Sequence, residues 1–354
     1  MEIVTGGVPP RRERRERRAI PKTWAQPALR VVAIGGGTGL PTVLGGLARL
    51  AGRGSLLQRL EVTAVVAASD DGGSSGRLRR ENGVLPPGDV RNCLVALADD
   101  RRRALARLFR YRFGRGEGLR GHSMGNLLLT ALTSLEGDFL GAIERAERML
   151  GCKGRVLPST LEAVRLVGLL EDGSRLEGEH TFVGERAARV ARIELLPRAP
   201  RPAPGVLEAI RAADLIVLGP GSLYSSVITN LLVDGVAEAV RESGALRILV
   251  QNLMTEPGET HGLDAVGHVE AVMRHAGKVA DVLLVDARPR VPSELLQGYA
   301  RKGQHPVRLD KRAILARGVI PVEADLLAGG ARVRHDPDKL AAAVIGLALQ
   351  GSEA

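Results

Sequence analysis

A glycine-rich turn between an apolar run and an amphipathic run constrains this chain more than any other stretch. Residues 31–34 have the composition of a buried strand, residues 35–39 hold four glycines, and residues 40–50 have helical spacing of their apolar side chains. Glycines let backbone N–H groups approach a phosphate closely, and a helix N-terminus favours its negative charge. The segment therefore predicts an α/β fold with a phosphate cradle formed by Gly36, Gly37, Thr38 and Gly39. The alternative is a tight turn with a structural role only.

This turn matches neither standard nucleotide motif. A dinucleotide fingerprint requires G-x-G-x-x-G, and Leu40 stands where the third glycine belongs. A Walker A loop requires Gly-Lys-Ser/Thr, and the turn has no lysine. The motif alone thus leaves the phosphorylated ligand open.

Composition narrows the class of protein. The 354 residues are 44% hydrophobic but only 2% aromatic, which predicts one large or two modest domains with an aliphatic core. The sequence has no apolar run of about 18 residues, so we expect no membrane span. The charged N-terminus is unlike a signal peptide, and two distant cysteines, Cys93 and Cys152, are typical of a reduced cytosol. We therefore expect a cytoplasmic protein.

A block of arginines explains part of the net charge of +10. Residues 11–18 contain six arginines and two glutamates, within a proline-containing stretch that has few apolar side chains. Such a block predicts a solvated, disordered leader over residues 1–28, dispensable for folding. Binding of nucleic acid or anionic lipid is the alternative, but no aromatic residue or recognised nucleic-acid motif supports nucleic acid as a partner.

Short aliphatic runs alternate with helical patterns along the rest of the chain, which predicts a mainly parallel sheet covered on both faces. In such sheets ligands bind beyond the carboxyl ends of the strands. Residues 154–202 instead predict a small antiparallel insertion with an Asp-Gly hairpin turn at 171–174, inside a single domain spanning 29–354. The expected strands are 29–34, 61–68, 214–218, 246–251 and 281–285, and the expected helices are 40–51, 90–98, 124–135, 139–149, 224–242 and 264–276.

Two adjacent carboxylates, Asp70 and Asp71, follow the second strand in a polar loop with Ser74. Carboxylates there can hold a divalent metal such as Mg²⁺, accept hydroxyl hydrogens from ribose, or act as a base. The alternative is a side chain that only shapes the turn.

Further on, residues 85–93 predict a helix start with Asp89 as its N-cap. Arg91 and Asn92 then lie in the first turn, compatible with ligand contact.

Residues 121–126 match G-x-S-x-G, the nucleophile motif of α/β-hydrolases. That motif requires an apolar strand before it. Residues 109–120 are basic and glycine-rich instead, so we do not expect a catalytic Ser123. The better interpretation is a helix N-terminus that presents Ser123 and Asn126 to an anion, with His122 as a hydrogen-bond donor or a plain loop residue.

The pattern of strand, glycine turn and helix occurs a second time at residues 213–226. This turn adds Gly219, Gly221 and Ser222 to the candidate binding residues. The next strand ends in a loop with Asn252, Thr255 and Glu259, which can close a site over a sugar or base, although ordinary loop polarity explains them equally well.

Together these motifs resemble the YvcK-like gluconeogenesis factor branch of the CofD superfamily. The resemblance extends from about residue 30 to the C-terminal helix. It implies a Rossmann-like three-layer α/β/α fold, binding of a nucleotide-sugar such as UDP-N-acetylglucosamine, and a role in cell shape and cell-wall precursor control during gluconeogenic growth. The resemblance is also compatible with protein partners in cell-wall synthesis and with assembly into a homo-oligomer. The matching motifs are 35–39, 70–77, 85–92, 121–126, 219–224 and 252–260.

The enzymatic branch of that superfamily, CofD, transfers 2-phospholactate to a deazaflavin. Residues 70–75 resemble the YvcK side, and the few aromatic residues offer little stacking surface for a deazaflavin. We therefore assign no catalytic residue and no firm cofactor, and expect a binding factor. Gly267-His268 departs from the Asp-His expected in the family, so the role of His268 is left open.

Overall fold

The computed structural model describes residues 28–51, 60–182, 189–287 and 291–351. Its strands, in chain order, are β1 Leu29–Gly35, β2 Leu60–Val66, β3 Arg155–Pro158, β4 Arg165–Leu170, β5 Arg175–Glu177, β6 Val190–Leu196, β7 Leu215–Leu218, β8 Leu246–Val250, β9 Val282–Asp286 and β10 Ile320–Ala324. Its α-helices are α1 Leu40–Ala51, α2 Gly73–Asn82, α3 Gly88–Leu97, α4 Arg103–Arg110, α5 Met124–Glu136, α6 Phe139–Leu150, α7 Val206–Arg211, α8 Thr229–Leu231, α9 Val236–Glu242, α10 Ala265–Ala276, α11 Ser293–Ala300, α12 Lys311–Ala316 and α13 Pro337–Gly351.

Seven parallel strands form the main sheet, in the order β10-β9-β8-β7-β1-β2-β3. The chain runs outward from β1 to β3, returns to β7 on the other side of β1, and continues to β10. The direction of winding therefore reverses between β1 and β7. In an open parallel sheet, loops at such a switch point diverge and leave a crevice for ligand.

Both faces of the sheet are buried, as the near-continuous aliphatic strands predict. Successive side chains of a strand point to opposite faces, so Val31 and Ala33 join one core while Val32 and Ile34 join the other. Helices α1, α3, α4, α5, α6 and α13 contribute to the first core. Helices α7, α9, α10 and α12 contribute to the second, together with the small sheet. The three-layer α/β/α prediction is confirmed.

The antiparallel sheet has the strand order β5-β4-β6 and packs against the second core. Its hairpin turns at Asp172-Gly173, where the Asp172 carboxylate accepts hydrogen bonds from the N–H and hydroxyl of Ser174. The predicted Asp-Gly turn is thus confirmed. The predicted start of the insertion is wrong, because β3 pairs parallel with β2 and extends the main sheet.

Three element predictions were incomplete. The expected helix 224–242 is a π-helical turn, Leu223–Ile228, followed by α8 and, after Gly235 at φ 71°, by α9. Part of the expected polar loop at 70–77 is the start of α2, a helix with weak helix formers and few apolar residues. Strand β10 was not predicted, and its side chains are only partly buried.

No single helix in the described ranges has the length and apolar character needed to cross a membrane. The bent pair Leu223–Leu231 and Val236–Glu242 meets that criterion jointly by length and composition. The predicted leader, apart from Ala28, lies outside the described residues.

Candidate functional site

The two glycine turns lie against each other at the switch point. A Cβ atom on Gly39, in the turn after β1, would lie 2.1 Å from the carbonyl oxygen of Pro220, in the turn after β7. Only glycine permits this approach without a backbone shift. Gly219 and Gly221 both have positive φ, which favours glycine there as well. The two predicted cradles are therefore in contact, and we call the region that they border at the switch point the crevice.

Asp89 occupies part of the first cradle. Its Oδ2 accepts a hydrogen bond from the N–H of Gly37 at 2.6 Å, and the Nδ2 of Asn92 donates to the Gly37 carbonyl at 3.3 Å. The prediction that Asp89 is the N-cap of its helix is wrong: Pro87 holds that position, and Asp89 lies within the first turn of α3. Turn spacing alone could not reveal this partner 52 residues away.

The remaining part of the first cradle is open. Within the described ranges, the N–H groups of Thr38 and Gly39 make no hydrogen bond, and Thr38 is exposed. Both groups precede the first residue of α1, where the helix dipole adds a partial positive charge. These two N–H groups can therefore receive a phosphate oxygen.

A carboxylate of the chain fills the second predicted cradle. Glu259 accepts hydrogen bonds from the Tyr224 N–H at 3.0 Å, the Ser225 N–H at 3.4 Å and the Ser225 hydroxyl at 2.6 Å. It was expected in the loop over a sugar or base, and it instead caps the turn after β7. The N–H groups that an anion needs at this helix start are therefore already engaged.

Asn252 fixes the second turn from the end of β8. Its amide accepts from the Gly221 N–H at 3.3 Å and donates to the Gly221 carbonyl at 2.8 Å. Ser222 follows Gly221 in the same turn, and its side chain partly opposes the effect of burial, which raises the pKa of Glu256. Thr255 is buried, and its backbone N–H and hydroxyl bond to the backbone of His305. Thr255 thus joins two loops and contacts none of the other candidate residues named here.

Asp70 lies in the loop that follows β2, next to the first turn of α3. Its Oδ1 accepts from the Gly72 N–H at 2.9 Å, the Asx-turn arrangement considered above. Its Oδ2 faces Gly88, where an added Cβ would be 2.9 Å away. Asp71 follows and is half-buried. One carboxylate oxygen of Asp70 therefore shapes the loop, and the other lies beside the first turn of α3 at the edge of the crevice.

Ser74, His122 and Asn126 form a buried hydrogen-bonded group that joins α2 to the start of α5. The Ser74 hydroxyl lies 2.9 Å from His122 Nδ1 and accepts from Asn126 Nδ2 at 3.1 Å. Burial, and then the charge of Arg77, lower the pKa of His122. The side-chain oxygen of Asn126 is buried and has no partner within the described residues.

Ser123 caps α5. Its hydroxyl oxygen accepts from the Asn126 N–H at 3.2 Å, and the residue is 0% exposed. His122 Nδ1 bonds Ser74 rather than Ser123, and the preceding segment forms a bridge rather than a buried strand. The predicted helix start is confirmed, whereas presentation of Ser123 and Asn126 to an anion stays a prediction. The geometry provides neither a base nor substrate access for a serine nucleophile.

Arg91 supplies a buried positive charge between α3 and α5. Its side chain lies against Gly125, where an added Cβ would be 2.8 Å from Arg91 Cδ, and it donates to Asn92 Oδ1 at 2.6 Å. Burial lowers its pKa, and the nearby Arg112 acts in the same direction. Its Nε has no partner within the described part of the chain. Arg91 was predicted in the first turn of α3, and it lies there.

Half-buried carboxyl groups surround the crevice. Burial raises the pKa of Asp89 to about 6 and that of Glu259 to about 7. Glu179, on the turn Glu179–Phe182 of the insertion, has its pKa raised by burial and by the charges of Asp70 and Asp89. The sequence analysis missed Glu179 because no glycine turn or strand end marks it.

His268, on α10, lies close to the second glycine turn and lines a small cavity together with Gly221 and Asn252. It is buried, and its Nδ1 bonds the carbonyl of Asp264, the N-cap of the same helix.

Farther along the same sheet edge, a cavity of about 560 Å³ lies beyond β9 and β10, lined by residues including Leu295, Arg332 and Lys339. The glycine turns do not line this cavity, so the switch point and the cavity are separate features.

Comparison with known proteins agrees with this architecture. The profile of the family described as 2-phospho-L-lactate transferase CofD matches residues 31–327. A relative from Thermotoga maritima is 45% identical over 317 residues, 88% of this chain and 97% of the relative. The gluconeogenesis factor of Bacillus subtilis is 38% identical over 320 residues, 90% of this chain and 98% of that protein.

A crystal structure gives the same result in three dimensions. A UPF0052 family protein from Bacillus halodurans superposes with a TM-score of 0.84 at 40% identity, covering 90% of this chain and 99% of that chain. The seven-stranded sheet, the quoted motifs and these relatives agree, and the chain therefore belongs to the CofD family.

Proposed function

We propose that this protein binds a nucleotide-sugar, UDP-N-acetylglucosamine, in the crevice between the turns after β1 and β7. The observation that carries the proposal is the open start of α1, where the Thr38 and Gly39 N–H groups lie at the topological switch point. A diphosphate oxygen accepts such N–H groups readily. The filled second cradle leaves the first as the phosphate position.

Charges around the crevice support a ligand that has both phosphates and hydroxyls. Arg91 lies on one side of it, with Arg112 near enough to lower the pKa of Arg91. Asp70 and Asp71 can accept hydrogen bonds from ribose or sugar hydroxyls, whereas bare phosphates would be repelled by them. In the described ranges no three His, Cys, Asp or Glu side chains are arranged to hold a metal. A bound Mg²⁺ ion would therefore take part of its ligands from the oxygens of the diphosphate.

We also propose a biological role. The Bacillus subtilis relative is called a gluconeogenesis factor, which supports a role in gluconeogenic growth. In this proposal the protein acts in the cytoplasm as a ligand-dependent regulator. It controls cell shape and cell-wall precursor supply through protein partners of cell-wall synthesis.

Isothermal titration calorimetry tests the binding proposal. Titration with UDP-N-acetylglucosamine should give saturable heat, and uridine or free N-acetylglucosamine should give much less. A shift of the melting temperature should accompany binding. Absence of heat and of a thermal shift at millimolar ligand overturns the proposal.

Transferase activity is the second candidate, because the matching family profile is described as a 2-phospho-L-lactate transferase. The two functions separate in one assay. A transferase would convert a deazaflavin to its phospholactyl product when given an activated 2-phospholactate donor. We expect no product, because only 2% of the residues are aromatic and they offer little surface on which a deazaflavin can stack.

A further inference from the structure

A strongly basic stretch surrounds helix α4, and of its arginines only Arg112 enters the argument for the proposed nucleotide-sugar site. Residues 101–120 contain eight arginines and one glutamate. Arg101 and Arg103 pair with Asp99 and Asp100, respectively. Within the described ranges the exposed Arg107, Arg110 and Arg115 form no ion pair. The stretch therefore presents several uncompensated positive charges to solvent.

Exposed leucines accompany these arginines. Leu108 is 42% exposed at the end of α4, Leu119 is 45% exposed in the following loop, and Leu135 is 80% exposed on α5. On α5, Leu128, Ala131, Leu132 and Leu135 follow the i, i+3, i+4, i+7 spacing of a single helix face. Ala131 is also exposed, and Leu128 and Leu132 are half-buried.

Helices α4 and α5 belong to one region of the surface. The Met124 N–H at the start of α5 donates to the Tyr111 carbonyl just after α4, at 2.7 Å. An Arg112–Ser123 bridge closes the loop between the two helices. A Cβ added at Gly125 would lie 2.6 Å from the Phe109 carbonyl, which shows how closely the backbones approach. We call this region, residues 101–120 with the exposed face of α5, the α4–α5 surface.

We propose that the α4–α5 surface docks on an anionic lipid bilayer. Arginines near a membrane surface gain from the phosphate headgroups, and leucines beside them can enter the boundary with the acyl chains. This peripheral contact needs no membrane-spanning helix, and it goes beyond the proposed nucleotide-sugar binding.

The charge pattern favours lipid over the other occupants. A second copy of the chain meeting this surface face to face would bring the same unpaired arginines together, at an electrostatic cost. Single-stranded nucleic acid is bound through aromatic side chains that stack on bases. Here three of the four large exposed apolar side chains are leucines, and the fourth, Tyr111, is 53% exposed and packs edge-on against Phe113. Basic groups beside exposed leucines match a bilayer best.

Vesicle co-sedimentation with the full chain tests the proposal. We expect binding to vesicles of phosphatidylethanolamine and phosphatidylglycerol, and at least tenfold weaker binding to phosphatidylcholine alone. Arg107→Glu with Arg110→Glu should weaken binding to the anionic vesicles at least tenfold. Leu135→Asp should weaken it several-fold. UDP-N-acetylglucosamine affinity, measured in parallel for Leu135→Asp, should be unchanged, which separates this proposal from the crevice.

Matched controls test whether vesicle binding depends only on the overall positive charge, to which the arginines of residues 11–18 also contribute. Arg301→Glu with Arg312→Glu reverses two other exposed arginines, and Leu315→Asp alters another exposed leucine. These variants should bind vesicles as the unaltered protein does. Equal binding by the α4 and control double variants overturns the proposal. So does equal binding to neutral and anionic vesicles, or retention by a single-stranded oligonucleotide but not by anionic vesicles.

Discussion

The carboxylate of Asp89 accepts a hydrogen bond from the backbone N–H of Gly37 at 2.6 Å, across 52 residues of sequence. One acidic side chain thus occupies an N–H group of the turn that we assign to phosphate binding. The crevice is pre-organised by an internal anion, and its other N–H groups are left for the ligand. Five predictions follow from this and related contacts.

Asp89→Asn should stabilise the protein at alkaline pH. Burial raises the pKa of Asp89 to about 6, so the folded protein holds this proton more tightly than the unfolded chain does. Its contribution to stability is therefore complete below the unfolded pKa of about 4 and is lost as the pH rises through the folded value. Asparagine keeps an acceptor for Gly37 without the charge. We expect a gain of about 1 to 3 kcal/mol near pH 8 and little gain near pH 4.

Urea unfolding at the two pH values measures this effect. Asp99→Asn is the control. The hydrogen bonds of Arg101 lower the pKa of Asp99 to about 2, so this carboxylate stabilises the protein at higher pH and its replacement should not stabilise the protein near pH 8. An Asp89→Asn variant that is less stable than the unaltered protein by the same amount at both pH values would contradict the prediction.

Ligand binding should take up protons. Burial raises the pKa of Glu259 to about 7 and that of Asp89 to about 6. A diphosphate entering the crevice adds negative charge and raises both pKa values further, so affinity should increase as the pH falls from about 8 to about 6. Calorimetry of UDP-N-acetylglucosamine binding, without added metal, in buffers of different ionisation enthalpy measures the uptake. Net proton release would show that the ligand does not approach these carboxyl groups.

At least one of Asp70 and Asp71 should contact ligand hydroxyls or a cation. Asp→Asn at that position keeps the shape of the loop and should cost about 1.5 to 3 kcal/mol of binding free energy, the range for hydrogen bonds to charged groups. Asp→Ala should cost at least as much while the protein stays folded. Titration calorimetry and circular dichroism check both points. If both alanine variants bind as the unaltered protein does, the loop is purely structural.

Gly39→Ala should destabilise the protein by more than about 2 kcal/mol, in the range of overpacked sites. The added Cβ would lie 2.1 Å from the Pro220 carbonyl oxygen, a backbone atom that cannot rotate away. Gly346→Ala on α13 is the matched control, since its Cβ would meet no atom within 4 Å and helical alanine is favoured by about 0.5 to 1 kcal/mol. Melting temperatures should move in opposite directions. A stable Gly39→Ala variant would mean that the two turns can separate.

Ser123→Ala should lower stability by about 1 kcal/mol through loss of the α5 cap. Ester hydrolysis should be indistinguishable from background before and after the change, because the hydroxyl is fully buried. Thermal unfolding and a p-nitrophenyl ester assay measure the two effects. Serine-dependent hydrolysis would restore the nucleophile interpretation.

The sequence predicted those features that depend on local pattern. Residues 31–34 specify a strand because a parallel sheet buries both faces, and residues 35–39 specify a tight turn because they are rich in glycine. The close approach of Gly39 to Pro220 was not predicted, because Pro220 is far along the chain. The start of α5 near Ser123 was also predicted, although the role of its hydroxyl as the cap was not.

Features set by distant partners could not be predicted in this way. Asp89 has the composition of a cap, yet it bonds a turn formed much earlier in the chain. Glu259 fills the second cradle from 34 residues away, so the glycine pattern there predicted an anion without showing that the anion belongs to the protein. Residues 155–158 join the main sheet because β2 has a free edge, which no local periodicity reveals.

The position of β1 in the sheet has a consequence for synthesis of the chain. β1 pairs with β2 on one side soon after both leave the ribosome, but its other neighbour, β7, is about 180 residues further on. At translation rates of about 5 to 20 residues per second, one hydrogen-bonding edge of β1 waits about 10 to 40 s for its partner. An aliphatic strand with an unpaired edge is a template for association with other chains. During that interval the nascent chain depends on chaperones or on its own helices α1 and α3 to stay monomeric.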